Sequence, residues 1–187
     1  TVSCAGGARA NICLALDTAP CSLPTAVVEL TGLTGGHSGT EIDKGRANAA
    51  ILLGRVLDAA SSLSLRLVSA ESGQKDNAIP SSARAVLAAE PPQFAALQTL
   101  VSELEAAFRA EHAVSDPALA LTICRGTAAN AALTEASTAK VAAFLALIPN
   151  GIAAMSVDLP GLVQTSCNLG IFAVESGKLR CSSAVRS

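Results

Sequence analysis

The run Gly32-Leu33-Thr34-Gly35-Gly36-His37-Ser38-Gly39-Thr40-Glu41 sets one of the chain's two histidines among four glycines in eight residues. Glycine lets a backbone turn tightly and come close to a ligand, so an imidazole held here is presented outward and can donate to an oxygen. The plainer reading is a turn histidine beside a helix start. Two further polar groups fall at strand ends: Asn77, opening Asn77-Ala78-Ile79-Pro80, and Arg186, ending the last strand. An amide and a planar guanidinium suit the orienting of a carbonyl or carboxylate. A turn-forming Asn and a solvated terminal Arg are the alternatives that local sequence leaves open. His112, in Ala110-Glu111-His112-Ala113, reads as a solvated helix-end residue favoured by the helix dipole.

The elements that must position these groups follow from apolar spacing. Arg9 to Leu16 and Thr25 to Gly32 read as a strand pair joined through Asp17-Thr18-Ala19-Pro20. A helix is predicted from about Thr40 to Ala60, with Thr40 as its N-cap and Glu41 and Asp43 in its first turn. Leu63, Leu65 and Leu67 alternate with polar residues as a half-buried strand does. A polar loop, Ser72 to Asn77, precedes a strand from Ala83 to Ala89. Pro91-Pro92 opens a helix with the stripe Phe94, Leu97, Leu100, Val101, Leu104 and Phe108. Leu119 to Cys124 is a strand, Thr138 to Ile148 a helix, and Leu162–Val174 with Leu179–Val185 a hairpin about Glu175-Ser176-Gly177-Lys178. Hairpins mixed with helices, without regular βαβ alternation, predict an α+β fold: an antiparallel sheet covered on one face by helices, in two related halves of about 1–112 and 113–187.

Composition narrows the chemistry. The 187 residues are 50% hydrophobic with a net charge of −2, four Phe and no Trp or Tyr, so neither the basic face nor the stacking platforms of a nucleic-acid binder are present. No apolar run approaches the ~18–20 residues of a membrane span, and Thr1 to Gly7 lacks the charged-then-apolar order of a signal peptide. Six cysteines (Cys4, Cys13, Cys21, Cys124, Cys167 and Cys181) are scattered and without CxxC spacing, which reads as isolated thiols of a reducing, cytoplasmic compartment. The two histidines lie far apart, the glycine run lacks a P-loop ending and misses GxGxxG, and no GxSxG elbow occurs. Catalysis by this chain alone is not expected.

Taken in order, the glycine–histidine run with Glu41-Ile42 after it, Asn77-Ala78-Ile79-Pro80, Thr165-Ser166-Cys167-Asn168-Leu169-Gly170 and the closing Val185-Arg186-Ser187 resemble the lid, or dimerisation, domain of M20-type zinc dipeptidases. Within that family the chain is most similar to the bacterial aminoacyl-histidine (Xaa-His) dipeptidases, also called cytosol nonspecific dipeptidases. The resemblance covers essentially the whole chain. It implies a single lid domain over 1–187, hydrolysis of Xaa-His and other dipeptides, and two zinc ions held by a separate catalytic domain, with no metal ligand here. It also implies a homodimer, with the chain's own catalytic domain and a dipeptide as partners. His37 then corresponds to the lid histidine that donates to the scissile carbonyl oxygen, and Asn77 and Arg186 to substrate-binding positions. Gly73-Gln74-Lys75-Asp76 departs from the family's Gly-Thr-x-Arg-Asn wording. The other reading is a stand-alone oligomerisation or binding module taking a small anion at the Gly32–Thr40 turn.

Overall fold

The structure, a computed structural model, describes residues 6–187; Cys4 lies outside them. The strands in chain order are β1 (Gly7–Ala15), β2 (Thr18–Pro20), β3 (Thr25–Thr31), β4 (Gly36–His37), β5 (Arg66–Ser72), β6 (Ala78–Ile79), β7 (Ala83–Ala88), β8 (Ala120–Gly126), β9 (Ala131–Leu133), β10 (Gly151–Met155), β11 (Val163–Glu175) and β12 (Lys178–Arg186). The helices are α1 (Ala49–Ala59), α2 (Pro91–Glu111) and α3 (Glu135–Leu147).

One eight-stranded sheet runs β1-β12-β11-β5-β7-β3-β8, with β10 beside the first half of β11. All its pairings are antiparallel. Strands from both sides of residue 112 therefore share one sheet, since β8 pairs with β3 and β11 with β5. The hairpin turn is Ser176-Gly177, with φ of 51° and 70°, a tight two-residue connection between Glu175 and Lys178. The helices bury their stripes against alternate sheet residues. Ala26, Val28 and Leu30 of β3, Ala85 and Leu87 of β7 and Leu67 of β5 share one core with Leu53 and Val56 of α1, Leu97 and Phe108 of α2, and Val141 and Leu145 of α3. Glu29 and Arg84, neighbours across β3 and β7, pair at 3.1 Å.

The α+β architecture expected from element order is present, and three local expectations are corrected. Arg9–Leu16 and Thr25–Gly32 do not pair. β1 lies at the sheet's edge against β12, β3 sits between β7 and β8, and Thr18–Pro20 pairs with Ala131–Leu133. The strand read from Leu63 starts at Arg66, because Ala60–Leu63 continues α1 as a 3₁₀ turn. Thr40 caps no helix: only a short 3₁₀ turn, Ile42–Lys44, follows it and stops at Gly45. The α-helix begins after Asn48, whose Oδ1 accepts from Ala50 N (3.0 Å) and Ile51 N (3.4 Å). Pro91-Pro92 do open α2, helped by a capping box between Glu90 and Gln93. The five described cysteines are free thiols; Cys21 and Cys181 are buried, whereas Cys13 and Cys124 are exposed. Among the described residues no helix is long and apolar enough to cross a membrane.

Asn48 also reaches outward: its buried Nδ2 donates to Leu169 O (3.0 Å) on β11 and to Asn150 Oδ1 (3.1 Å). Asn48→Ala therefore removes a helix cap and strands a buried carbonyl. The expected loss is about 2–3 kcal/mol, roughly 5–10 °C in melting temperature for a domain of this size, measurable by calorimetry.

Candidate functional site

Between β3 and α1 the chain makes an excursion, residues 34–47, whose two ends close on one carboxylate. Asp116 Oδ1 accepts from Thr34 N (2.8 Å) and Oδ2 from Ala47 N (2.9 Å) and the Ser115 hydroxyl (2.8 Å). Inside the excursion, Glu41 folds back so that Oε2 accepts from the His37 backbone N–H (2.8 Å), while its Oε1 pairs with Arg46 at 2.8 Å. Arg46 Nη1 donates on to Gly35 O (2.6 Å). The His37 N–H bond, with the Arg46 guanidinium beside it, holds the Glu41 carboxyl below the usual carboxylate range.

At the tip, Gly36 and His37 pair with Ile79 and Ala78, so β4 and β6 form a separate two-stranded ribbon. The His37 side chain is exposed. Its Nδ1 accepts from Gly39 N (3.2 Å), with Thr40 Oγ1 at 3.3 Å. A backbone N–H can only donate, so Nδ1 carries the lone pair in the neutral ring and the proton sits on Nε2.

The structure brings the three sequence-predicted residues to one end of the domain. Ser38 N donates to Asn77 O (2.9 Å), which sets the exposed Asn77 across the ribbon from His37. Arg186, ending β12, lies on the other side of Gly39. A Cβ on Gly39 would stand 3.0 Å from both Arg186 Cζ and His37 Cε1, so a side chain there would push ring or guanidinium by a few tenths of an ångström. Arg186 Nε is buried with no hydrogen-bond partner among the described residues. Asn77 and Arg186 share a groove of about 310 Å³ with Arg9 and Asp76, which form an ion pair. His112 lies apart from this group, as the C-cap of α2.

The Gly32–Thr40 turn does not lead into an α-helix N-terminus, so the helix-dipole basis of an anion site there is absent. Among the described residues no three His, Cys, Asp or Glu side chains converge to hold a metal ion, and the described chain does not by itself fit a zinc centre.

Sequence reasoning missed Asp116, Glu41's backbone role and Asn48. Asp116 precedes Pro117 after a helix end, which signals a turn, but nothing local shows that it is 1% exposed and bound to two distant N–H groups. Burial pushes the Asp116 carboxyl up. The Ala47 and Thr34 N–H bonds, the Ser115 hydroxyl and nearby His112 outweigh that and hold its pKa below the ordinary value. A carboxyl depressed on folding adds stability above its unfolded pKa and loses it as pH falls through the lower folded one. Asp116→Asn should thus cost about 3 kcal/mol at neutral pH. The gap from the parent chain should narrow below about pH 4, read from denaturant melts across pH.

Residues 28–116 match the family described as the peptidase dimerisation domain. The chain is 33% identical over its whole length to the cytosol non-specific dipeptidase of Escherichia coli strain K12, of which it spans 39%. Its structure superposes on that of aminoacylhistidine dipeptidase from Vibrio alginolyticus with a TM-score of 0.92 and 30% identity, covering 98% of this chain and 38% of the other. The fold and these likenesses agree: residues 28–116 are matched by the M20 peptidase dimerisation-domain family, and the whole chain is similar to just over a third of each of the two dipeptidases.

Proposed function

We propose that this chain is the lid of a dizinc dipeptidase that hydrolyses Xaa-His and other dipeptides. In this reading a separate catalytic domain of the same enzyme holds the zinc, the enzyme is a cytoplasmic homodimer, and the lid supplies substrate contacts and an interface. The observation that carries the proposal is the exposed His37 ring, its Nδ1 engaged by Gly39 and its Nε2–H left to donate, beside the Arg186 guanidinium. The names of the two similar proteins, a cytosol non-specific dipeptidase and an aminoacylhistidine dipeptidase, support the substrate class.

Each residue has a role its chemistry suits. As the scissile carbonyl carbon becomes tetrahedral, its oxygen gains negative charge. The His37 Nε2–H, fixed before the reaction, donates to that oxygen, a contribution typically of ~3–4 kcal/mol. Arg186, which lines the groove with Asn77, offers its planar guanidinium to the dipeptide's carboxylate. Asn77, across the shared groove, donates through its amide to a substrate carbonyl or carboxylate.

His37→Ala in the enzyme assembled with its catalytic domain should lower kcat about 10²–10³-fold at unchanged zinc content; lost zinc would contradict the role. Arg186→Lys keeps the charge but not the bidentate fork, and should raise KM about tenfold. The 187-residue chain alone should bind no zinc and hydrolyse no carnosine; turnover by the purified chain would refute the lid reading.

A further inference from the structure

Thr165-Ser166-Cys167-Asn168-Leu169-Gly170 is part of the sequence pattern, yet none of these residues enters the chemistry above. In the fold it forms the middle of β11. Asn168 is 2% exposed, and its Nδ2 donates to Asp76 O (3.2 Å) and Ala78 O (2.8 Å), the carbonyls on either side of Asn77. Asn77's own carbonyl takes the Ser38 N–H, so three successive carbonyls of this segment are held from two directions. Two residues further on, Gly170 permits the close approach: a Cβ there would lie 2.3 Å from Asp76 O. It is also where the β11–β12 register shifts, between Leu169 and Ile171.

The geometry has a consequence for the three site residues. His37 and Asn77 ride on the β4–β6 ribbon, which forms a sheet of its own. Arg186 rides on β12, directly opposite Ser166 of β11. Asn168 stands at the joint between the two bodies. We infer that Asn168 is a positioning residue: by holding both carbonyls that flank Asn77, it fixes the ribbon, and with it His37 and Asn77, relative to Arg186. The catalytic consequence rests on the lid reading; the docking itself does not.

Amide hydrogen exchange on the 187-residue chain separates docking from general stability. Asn168→Ala should speed exchange at Ser38, whose N–H ends on Asn77 O, about tenfold, with the amides of the β11–β12 ladder unchanged. Asn168→Ser, whose hydroxyl can donate to one of the two carbonyls, should recover part of that protection. Unchanged exchange at Ser38, or equal acceleration throughout β11 and β12, would overturn the inference. With a catalytic domain joined, Asn168→Ala should lower kcat about a hundredfold, and an unaltered kcat beside an active parent enzyme would overturn the catalytic part. A parent enzyme that cleaves no dipeptide would sink the lid reading and leave the exchange result standing.

Discussion

A buried carboxylate is expensive to fold around unless its lone pairs are taken up. Asp116 takes up that requirement with the two N–H groups that bound the 34–47 excursion and with its neighbour's hydroxyl. The excursion is thereby a closed loop, and the entropy of ordering it is lost in folding rather than when a ligand arrives. Just inside that closure Arg46 reaches Gly35 O, and within the loop Glu41 takes the His37 N–H four residues back. The imidazole at the tip is then set by its Gly39 contact. Rigidity thus descends from a residue far along the chain to the one group best suited to donate to an oxygen.

Elements whose signals are local were legible. The Phe94-to-Phe108 stripe behind Pro91-Pro92 gave α2, and the Ser176-Gly177 turn gave the long hairpin. The start of α1 was not. Thr40 followed by Glu41 and Asp43 has the local wording of a capped first turn, but the decisive cap, Asn48, is fixed by partners on β11 and at Asn150. Strand partners were also illegible. Nothing near Arg9 tells it from an inner strand, and its true neighbour, β12, comes from the far end of the sequence.

The residue types at the candidate site could be read, but their meeting place could not. Arg186 reaches Gly39 because β12 lies next to β11, against which the ribbon is docked, and no spacing rule encodes that order. The glycine of His37-Ser38-Gly39 looked like freedom to turn. In the fold it is chiefly room, since a single methyl there would displace the ring or the guanidinium. The roles of Asp116 and Asn168 stayed hidden for one reason: a buried polar side chain is explained only by the distant groups it satisfies.

One feature at the groove's mouth behaves unlike the rest. Arg9 of the edge strand β1 pairs with Asp76, next to Asn77, and its side chain is 67% exposed. With Asp76 20% exposed the pair is open on one side only, and dissolved ions screen it from there over about 8 Å at physiological strength. Asn168 is buried and uncharged, so its bonds to Asp76 O and Ala78 O feel little of that screening. The Asp76–Asn77 backbone beside the groove therefore keeps its shape in brine, while the Arg9 contact to it loosens as ionic strength rises.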